Sequence, residues 1–411
     1  MKIIKVAHLI SGPMDAGAAL AVSMLTEGMN QINANIHNTI VTNDRKKNNY
    51  RTLIRPRDNL KGMITKISLS IERRLLSATS SKDYFLSTGH MGYDSNLKEV
   101  LKNFDIIHLH WIPGLVSMRM ILEIDQPIVV TLRDMWHLTG GCHYPLDCNQ
   151  YVDQCRYCPG MENGSHFLIG FNVEDQHIIK QRFLNRENVW ICGISEWITA
   201  EAKKVSWLTN KKIFAIHNGV ELGEFKRIEN KNARKSLEID FPGLVIGFCA
   251  QDISDPVKGI EEVLKSLEDF PNNAAKLLTF GKNRKNIKHE KIIKHINFST
   301  SQMIKSQFYS TIDLLIVASK MESFGKVAIE AMHFGVPVLT FNDIGTAEVI
   351  VNEKTGFLVS RSEGFSPILA KILSMKREDI MVLKTAARHQ ASRYSIENSA
   401  EKYIELYNTM V

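Results

Sequence analysis

Four of the six cysteines, Cys142, Cys148, Cys155 and Cys158, fall within 17 residues, and the last two form a Cys-x-x-Cys pair. Thiolates at that density can hold a tetrahedral Zn²⁺, which gives a polar loop a centre to fold around. The interleaved Asp147, Asn149, Gln150, Asp153, Gln154 and Arg156 offer no apolar face to bury four thiols. His143 could replace one thiolate. Two disulfides or four free thiols are the other readings, and redox compartment decides among them. Cys192 and Cys249 lie in apolar runs and read as inert core thiols.

A second constellation is Glu322 to Gly335, ESFGKVAIEAMHFG. Val327, Ala328, Ala331 and Met332 give it an apolar helical face, with Ser323 as the expected N-cap. Gly325, in the expected first turn, leaves the free backbone N–H groups and the positive end of the helix dipole open to an anion. Glu322 lies in the loop before this helix and Glu330 about two turns inside it. A helix with two glutamates is by itself commonplace, because glutamate is a good helix former.

The elements that must position these residues follow from periodicity. Short β-branched runs at Ile3 to Ile10, Ile36 to Val41, Ile106 to His110, Ile128 to Leu132, Trp190 to Ile194 and Ile213 to Ile216 read as strands, with a helix at Ala18 to Asn30. The pattern restarts after the charged stretch 221–242, with strands at Leu244 to Cys249, Lys276 to Phe280, Leu314 to Ala318, Val336 to Thr340 and Phe357 to Val359. Helices at Ile260 to Leu267 and Gly325 to His333 intervene. This alternation builds doubly wound parallel sheets, whose ligands bind outside the strand carboxyl ends. The 411 residues therefore divide into a domain 1–220 carrying the Cys-rich loop 140–160, a linker 221–242, a domain 243–390, and a C-terminal helix 391–411 returning to the first domain.

Hydrophobic residues at 44% and charged residues at 23% exclude disordered and fibrous classes. No window approaches the eighteen apolar residues of a membrane span. The N-terminal apolar run is broken by His8, Pro13 and Asp15, which suits a first strand better than a signal peptide, so a cytoplasmic protein is expected. The net charge of +7 is carried by residues 1–80, where 12 Lys or Arg face 5 Asp or Glu. Much of it lies in Arg45 to Arg74, where Ile64, Ile67, Ile71 and Leu75 recur at helical spacing beside Lys66, Arg73 and Arg74. Such a helix can lie on an anionic membrane surface, here the inner face, or pack its stripe on its own domain. No basic run interleaved with aromatic residues accompanies it, and nucleic acid is not an expected partner.

Glu322 and Glu330, set in E-S-F-G-x-x-x-x-E-A-M-x-x-G-x-P-V, resemble the signature of the retaining glycosyltransferases of family 4, which have the GT-B fold of two Rossmann-like α/β domains facing across a cleft. Asn218-Gly219-Val220 resembles that family's N-G-V-D with Glu221 in place of Asp. Lys258-Gly259 resembles its K-G, Gly281 its post-strand glycine, Gly345 with Glu348 its G-x-x-E, and Gly12 and Gly17 its first loop. The resemblance implies a nucleotide-sugar donor. Lys258 would contact the diphosphate, the amides near Ser323, Phe324 and Gly325 would bind phosphate or sugar, Glu330 the ribose hydroxyls, and Glu322 would face the donor sugar, with Gly17, Asn218 and Gly281 nearby. A lysine and oriented N–H groups stabilise the negative charge of a departing nucleoside diphosphate, so no catalytic metal is expected.

Two positions depart from the family pattern. Ala250-Gln251-Asp252 stands where an arginine usually precedes the lysine, which leaves Lys282 or Arg284 to supply a second cation. Thr131-Leu132-Arg133-Asp134 resembles the family's T-x-H-D with Arg133 in place of the active-site histidine; arginine cannot act as a base at neutral pH but can neutralise a phosphate or orient a hydroxyl. The run from Asp134 through Thr139-Gly140-Gly141-Cys142-His143-Tyr144 to C-x-x-C-Pro resembles a loop in transferases of O-antigen, capsule and colanic-acid-type pathways. The implied activity is sugar transfer with retention onto a lipid-linked or oligosaccharide acceptor. A GT-B sugar-nucleotide epimerase and an inactive sugar-binding homologue are the alternatives.

Overall fold

The computed structural model describes residues 3–14, 17–33, 35–44, 53–54, 60–79, 81, 84–161, 172–208, 210–223 and 225–411. Two compact units make up the chain: Met1–Gly219 together with Ile396–Val411, and Val220–Ser395.

The first unit is built on seven parallel strands: β1 (Ile4–Ile10), β2 (Ile36–Thr42), β3 (Leu53–Ile54), β4 (Ile106–Leu109), β5 (Ile128–Leu132), β6 (Val189–Gly193) and β7 (Ile213–Ala215). Their order across the sheet is β3-β2-β1-β4-β5-β6-β7. β4 and β5 are buried at every residue, which is why they read as unbroken apolar runs rather than alternating ones. The chain winds outward in one direction from β1 and in the other from β4, so the crevice between these neighbours is the point where the winding reverses. Helix Gly17–Ile32 packs on helix Ile396–Asn408, and a Cβ on Gly28 would already touch Ile396 at 3.4 Å. Tyr403 and Tyr407 on the latter helix are buried in the core with Val6, Ile106 and Cys192.

The second unit carries six parallel strands, β8 (Leu244–Asp252), β9 (Ala275–Lys282), β10 (Ile292–Asn297), β11 (Leu314–Val317), β12 (Val338–Phe341) and β13 (Gly356–Val359), in the order β10-β9-β8-β11-β12-β13. Its winding reverses between β8 and β11. Residues 221–242, read as a linker, belong to this unit: helix Asn230–Ser236 lies within them, and Arg234 pairs with Asp313 at 2.6 Å. β10 escapes sequence reading because it is an edge strand, only partly buried, with a register shift after Ile292.

Of the basic segment, residues 45–52 and 55–59 lie outside the described residues, and helix Leu60–Thr79 follows. It packs through Leu69 and Leu76, while Leu60, Met63, Ile64, Ile67 and Ile71 are each more than half exposed. The recurring isoleucines therefore form a second, outward stripe and do not pack on their own domain. No helix among the described residues is long and apolar enough to cross a membrane.

Candidate active site

In the second unit, β8 and β11 bring together the residues that follow them. Lys258 Nζ lies 2.7 Å from Glu322 Oε2, and both side chains are about three-quarters covered. The two loops are fastened at the backbone where Lys320 N donates to Val257 O at 2.7 Å, and Gly345 N, from the loop after β12, donates to Glu322 O at 2.7 Å. Gly259 has φ +73°, and a Cβ there would stand 2.2 Å from Ala318 O. The glycine thus serves both a left-handed turn and the close approach that presents Lys258 to the crevice.

The helix of the second constellation starts at Lys326, with Gly325 as N-cap at φ +155° and no side-chain cap bond. This corrects the expected N-cap, Ser323, and moves the helix start from Gly325 to Lys326. Ser323 and Phe324 are buried in the preceding turn, and a Cβ on Gly325 would meet Thr346 at 2.8 Å. Glu330 is also buried: its Oε2 accepts from Tyr309 Oη at 2.7 Å, and its Oε1 faces Lys305 at 3.5 Å and Lys326 at 3.9 Å. A carboxylate so covered must be paired, and these partners were not legible from spacing. Gly281, at φ +149°, is the penultimate residue of β9, where a Cβ would meet Ala250 O at 2.1 Å. Beside it, Asp252 pairs in register with Lys282 and holds Arg284 at 3.3 Å, so both cations considered as substitutes stand at the carboxyl ends of β8 and β9.

In the first unit, Arg133 follows β5. One guanidinium nitrogen donates to Asn218 Oδ1 at 3.2 Å and another lies 3.2 Å from His110 Nδ1. Because arginine only donates, His110 accepts at Nδ1 and donates from Nε2 to His8 Nδ1 at 3.1 Å. His8 in turn donates from Nε2 to Asn38 Oδ1 at 2.9 Å. The neutral state this chain requires is enforced by burial, which lowers His8 to about 4 and His110 well below its ordinary value. His108 sits alongside, bonded to Tyr407 at 2.5 Å and Thr131 at 2.6 Å. His8, His108 and His110 have ligand atoms within 4.8 Å of one another, but every ring nitrogen has a polar partner and the adjacent guanidinium opposes a cation, so the set does not suit a metal.

Burial pulls Arg133 down to about 10, still charged at neutral pH. Its direct partners are neutral, and its buried Nε has no hydrogen-bond partner. The guanidinium thus keeps its positive charge with no carboxylate hydrogen-bonded to it. Asp134 is engaged elsewhere: Oδ1 caps Trp136 N at 2.9 Å, and Oδ2 receives His143 Nδ1 at 2.7 Å. Burial works against its charge, yet His143 and the Trp136 amide hold the carboxyl below its ordinary value. His143 Nε2 meets Ser87 at 2.9 Å, so this histidine is committed away from the cysteines. Gly17 only begins the first helix, and a Cβ there would touch nothing within 4 Å.

A cavity of about 570 Å³ opens at the first sheet's reversal point, walled by Gly12, Asn43 and Trp111 and on another side by Leu69, Glu72 and Arg73 of helix Leu60–Thr79. Burial raises Glu72 to about 7, so this carboxyl can exchange a proton near neutrality. Sequence reading missed it because nothing in a helical periodicity shows that a glutamate faces a cavity. The four clustered cysteines, all free, line a separate small cavity.

Residues 232–390 match the family described as glycosyl transferases group 1. A D-inositol 3-phosphate glycosyltransferase of Corynebacterium urealyticum is 23% identical over 333 residues, covering 75% of this chain and 72% of its own. The capsular polysaccharide biosynthesis glycosyltransferase CapM of Staphylococcus aureus is 26% identical over 216 residues, 48% of this chain and 54% of its own, about half of each. The crystal structure of Anabaena HepE in complex with UDP and glucose has a TM-score of 0.69 and 14% identity, covering 99% of this chain and 100% of that one, a likeness of fold. The second unit accordingly carries the glycosyl transferases group 1 domain, and the chain has the GT-B fold.

Proposed function

We propose that the protein transfers a sugar from a nucleoside diphosphate donor, with retention of anomeric configuration, to a lipid-linked or oligosaccharide acceptor in surface-polysaccharide synthesis. The observation that carries the reading is the Lys258–Glu322 pair beside Gly259 and Gly325 at the reversal point of the second sheet. There an ammonium meets the charge of a leaving diphosphate where it develops, and a carboxylate faces the sugar. The UDP and glucose held by the Anabaena neighbour, and the capsule pathway of the Staphylococcus relative, support the donor and the setting. Incubated with nucleotide-sugars, the protein is expected to release nucleoside diphosphate slowly alone and faster with a lipid or oligosaccharide acceptor, giving an α-linked product from an α-donor. A β-linked product overturns retention. An epimerised donor with no transfer favours the epimerase reading, to which Glu72 lends a proton-exchanging carboxyl in the first unit. No turnover of any donor favours the inactive homologue.

Helix Leu60–Thr79 supports a membrane-bound acceptor, because the same helix walls the 570 Å³ cavity and turns an apolar, basic-flanked stripe outward. Each basic residue near an anionic surface contributes about 1 kcal/mol, and the attraction weakens with salt. Replacing Lys66, Arg73 and Arg74 with Glu is expected to weaken binding to anionic vesicles by on the order of 10² or more. Replacing Ile64, Ile67 and Ile71 with Ser should weaken binding to anionic vesicles further. Equal sedimentation of all forms with anionic and neutral vesicles refutes the membrane role.

A further inference from the structure

The loop that runs from Thr139 to Met161 has little apolar surface to bury beyond Tyr151 and Met161, yet it is folded. Its only regular element is the short 3₁₀ turn Gln150–Val152. Asp147, Asn149, Asp153 and Arg156 have no apolar face to turn inward, and the exposed ion pair of Arg156 with Glu174, at 3.4 Å, adds little. Beside Tyr151 and Met161, what the loop turns inward is sulfur, with Cys142 and Cys155 buried and Cys148 and Cys158 half-buried. Cys142, Cys148, Cys155 and Cys158 all line one cavity of about 20 Å³, roughly the space of a single water or ion, closed by Gly140 and Tyr84 among others. Four sulfurs of one loop converging on one space, with none of them joined in a disulfide, is an arrangement that apolar packing does not explain.

We propose that Cys142, Cys148, Cys155 and Cys158 form a structural Zn²⁺ site that folds this loop. Thiolates select zinc among the abundant divalent ions, and a site closed by four protein ligands is structural rather than catalytic. The surroundings fit a thiolate cluster. Gly140 N donates to Cys155 Sγ at 3.4 Å, the N–H···S contact that orients a ligand sulfur. Gly140 is required there, since a Cβ would stand 2.3 Å from Val173 Cγ1. Lys180, buried beneath the loop, donates to Trp136 O at 2.6 Å and Thr139 O at 3.0 Å and so fixes the strand of chain that leads into Gly140 and Cys142. No three of the sulfurs stand within 4.8 Å of one another, whereas Zn–S bonds of about 2.3 Å bring tetrahedral sulfurs closer than that. Ligation therefore tightens the loop, and the small cavity is the slack it takes up. Binding of the ion releases the thiol protons to solvent, with no change of oxidation state. His143 is excluded as a ligand by its bonds to Asp134 and Ser87.

The test uses the full chain, fully reduced, equilibrated with excess Zn²⁺ and then dialysed. Close to one zinc per chain is expected, with at most two of the six thiols, the half-buried Cys249 and more slowly the buried Cys192, open to a thiol reagent until a chelator is added. Substitution by Co²⁺ should give the intense visible absorption of a tetrahedral thiolate complex. Cys155→Ser should abolish zinc retention and Cys249→Ser should preserve it. If Cys155→Ser fails to fold, the Co²⁺ spectrum and thiol count of the unaltered chain decide the matter. Zinc content near zero with all four loop thiols reactive overturns the site, as do two oxidised pairs. Hydrogen exchange gives an independent readout: chelation should expose the amides of residues 140–160 and leave those of β8–β13 protected, an outcome separate from whether the protein transfers sugar.

Discussion

Lys258→Ala is expected to lower turnover by about 10² to 10³, the usual loss when one group stabilising transition-state charge is removed. The ammonium sits 2.7 Å from Glu322, held forward by a Gly259 turn that tolerates no side chain. If the lysine acts on the departing diphosphate, the loss falls on kcat and on kcat/KM together, because the charge it meets is greatest in the transition state. Lys258→Arg should recover part of the rate, since the positive charge remains. Glu330→Ala should behave differently. That carboxylate is buried against Tyr309 and Lys305, so its loss leaves an ammonium without its counter-charge and is expected to weaken donor affinity and stability together. Unchanged turnover and donor affinity in both Ala variants refute the placement of the donor site.

Arg133→Ala is expected to reduce turnover on the order of 10², with Arg133→Lys intermediate, because lysine keeps the charge but loses the planar fork. The physical basis is a guanidinium kept charged and free of any direct carboxylate partner, steadied by Asn218 and by the neutral His110–His8–Asn38 chain. A purely structural arginine would give a different result: Arg133→Ala would lower Tm while surviving molecules kept wild-type kcat and acceptor KM. A role toward the acceptor instead raises KM for the acceptor or lowers kcat in protein whose Tm is little changed. The measurement is therefore a full kinetic set on both variants beside their melting curves.

The strands β1, β4, β5, β8, β11 and β12 were readable because parallel strands buried on both faces impose long β-branched runs, and that signal survives in one dimension. So did the Lys258-Gly259 and Glu322 motifs, whose glycines are demanded by backbone geometry at β8 and β11. The parts that failed to show have a common cause. β10 is an edge strand with no face wholly buried, and helix Asn230–Ser236 lies in a stretch whose composition looks like a connector. Glu72 facing a cavity, Tyr309 and Lys305 closing on Glu330, and His143 turning from the cysteines to Asp134 depend on contacts between residues far apart in the chain.

The sequence by itself determined which buried segments form the middle of each sheet, which glycines flank the candidate donor site, and that four sulfurs share one loop. These follow from local sterics and from the period of side chains along a strand or helix. Only the tertiary structure decided which carboxylate pairs with Lys258, which neutral partners hold Arg133, and which stripe of helix Leu60–Thr79 faces solvent. Each of those is settled by desolvation: a charge or an apolar surface takes the partner that packing brings to it, and sequence spacing does not specify that partner.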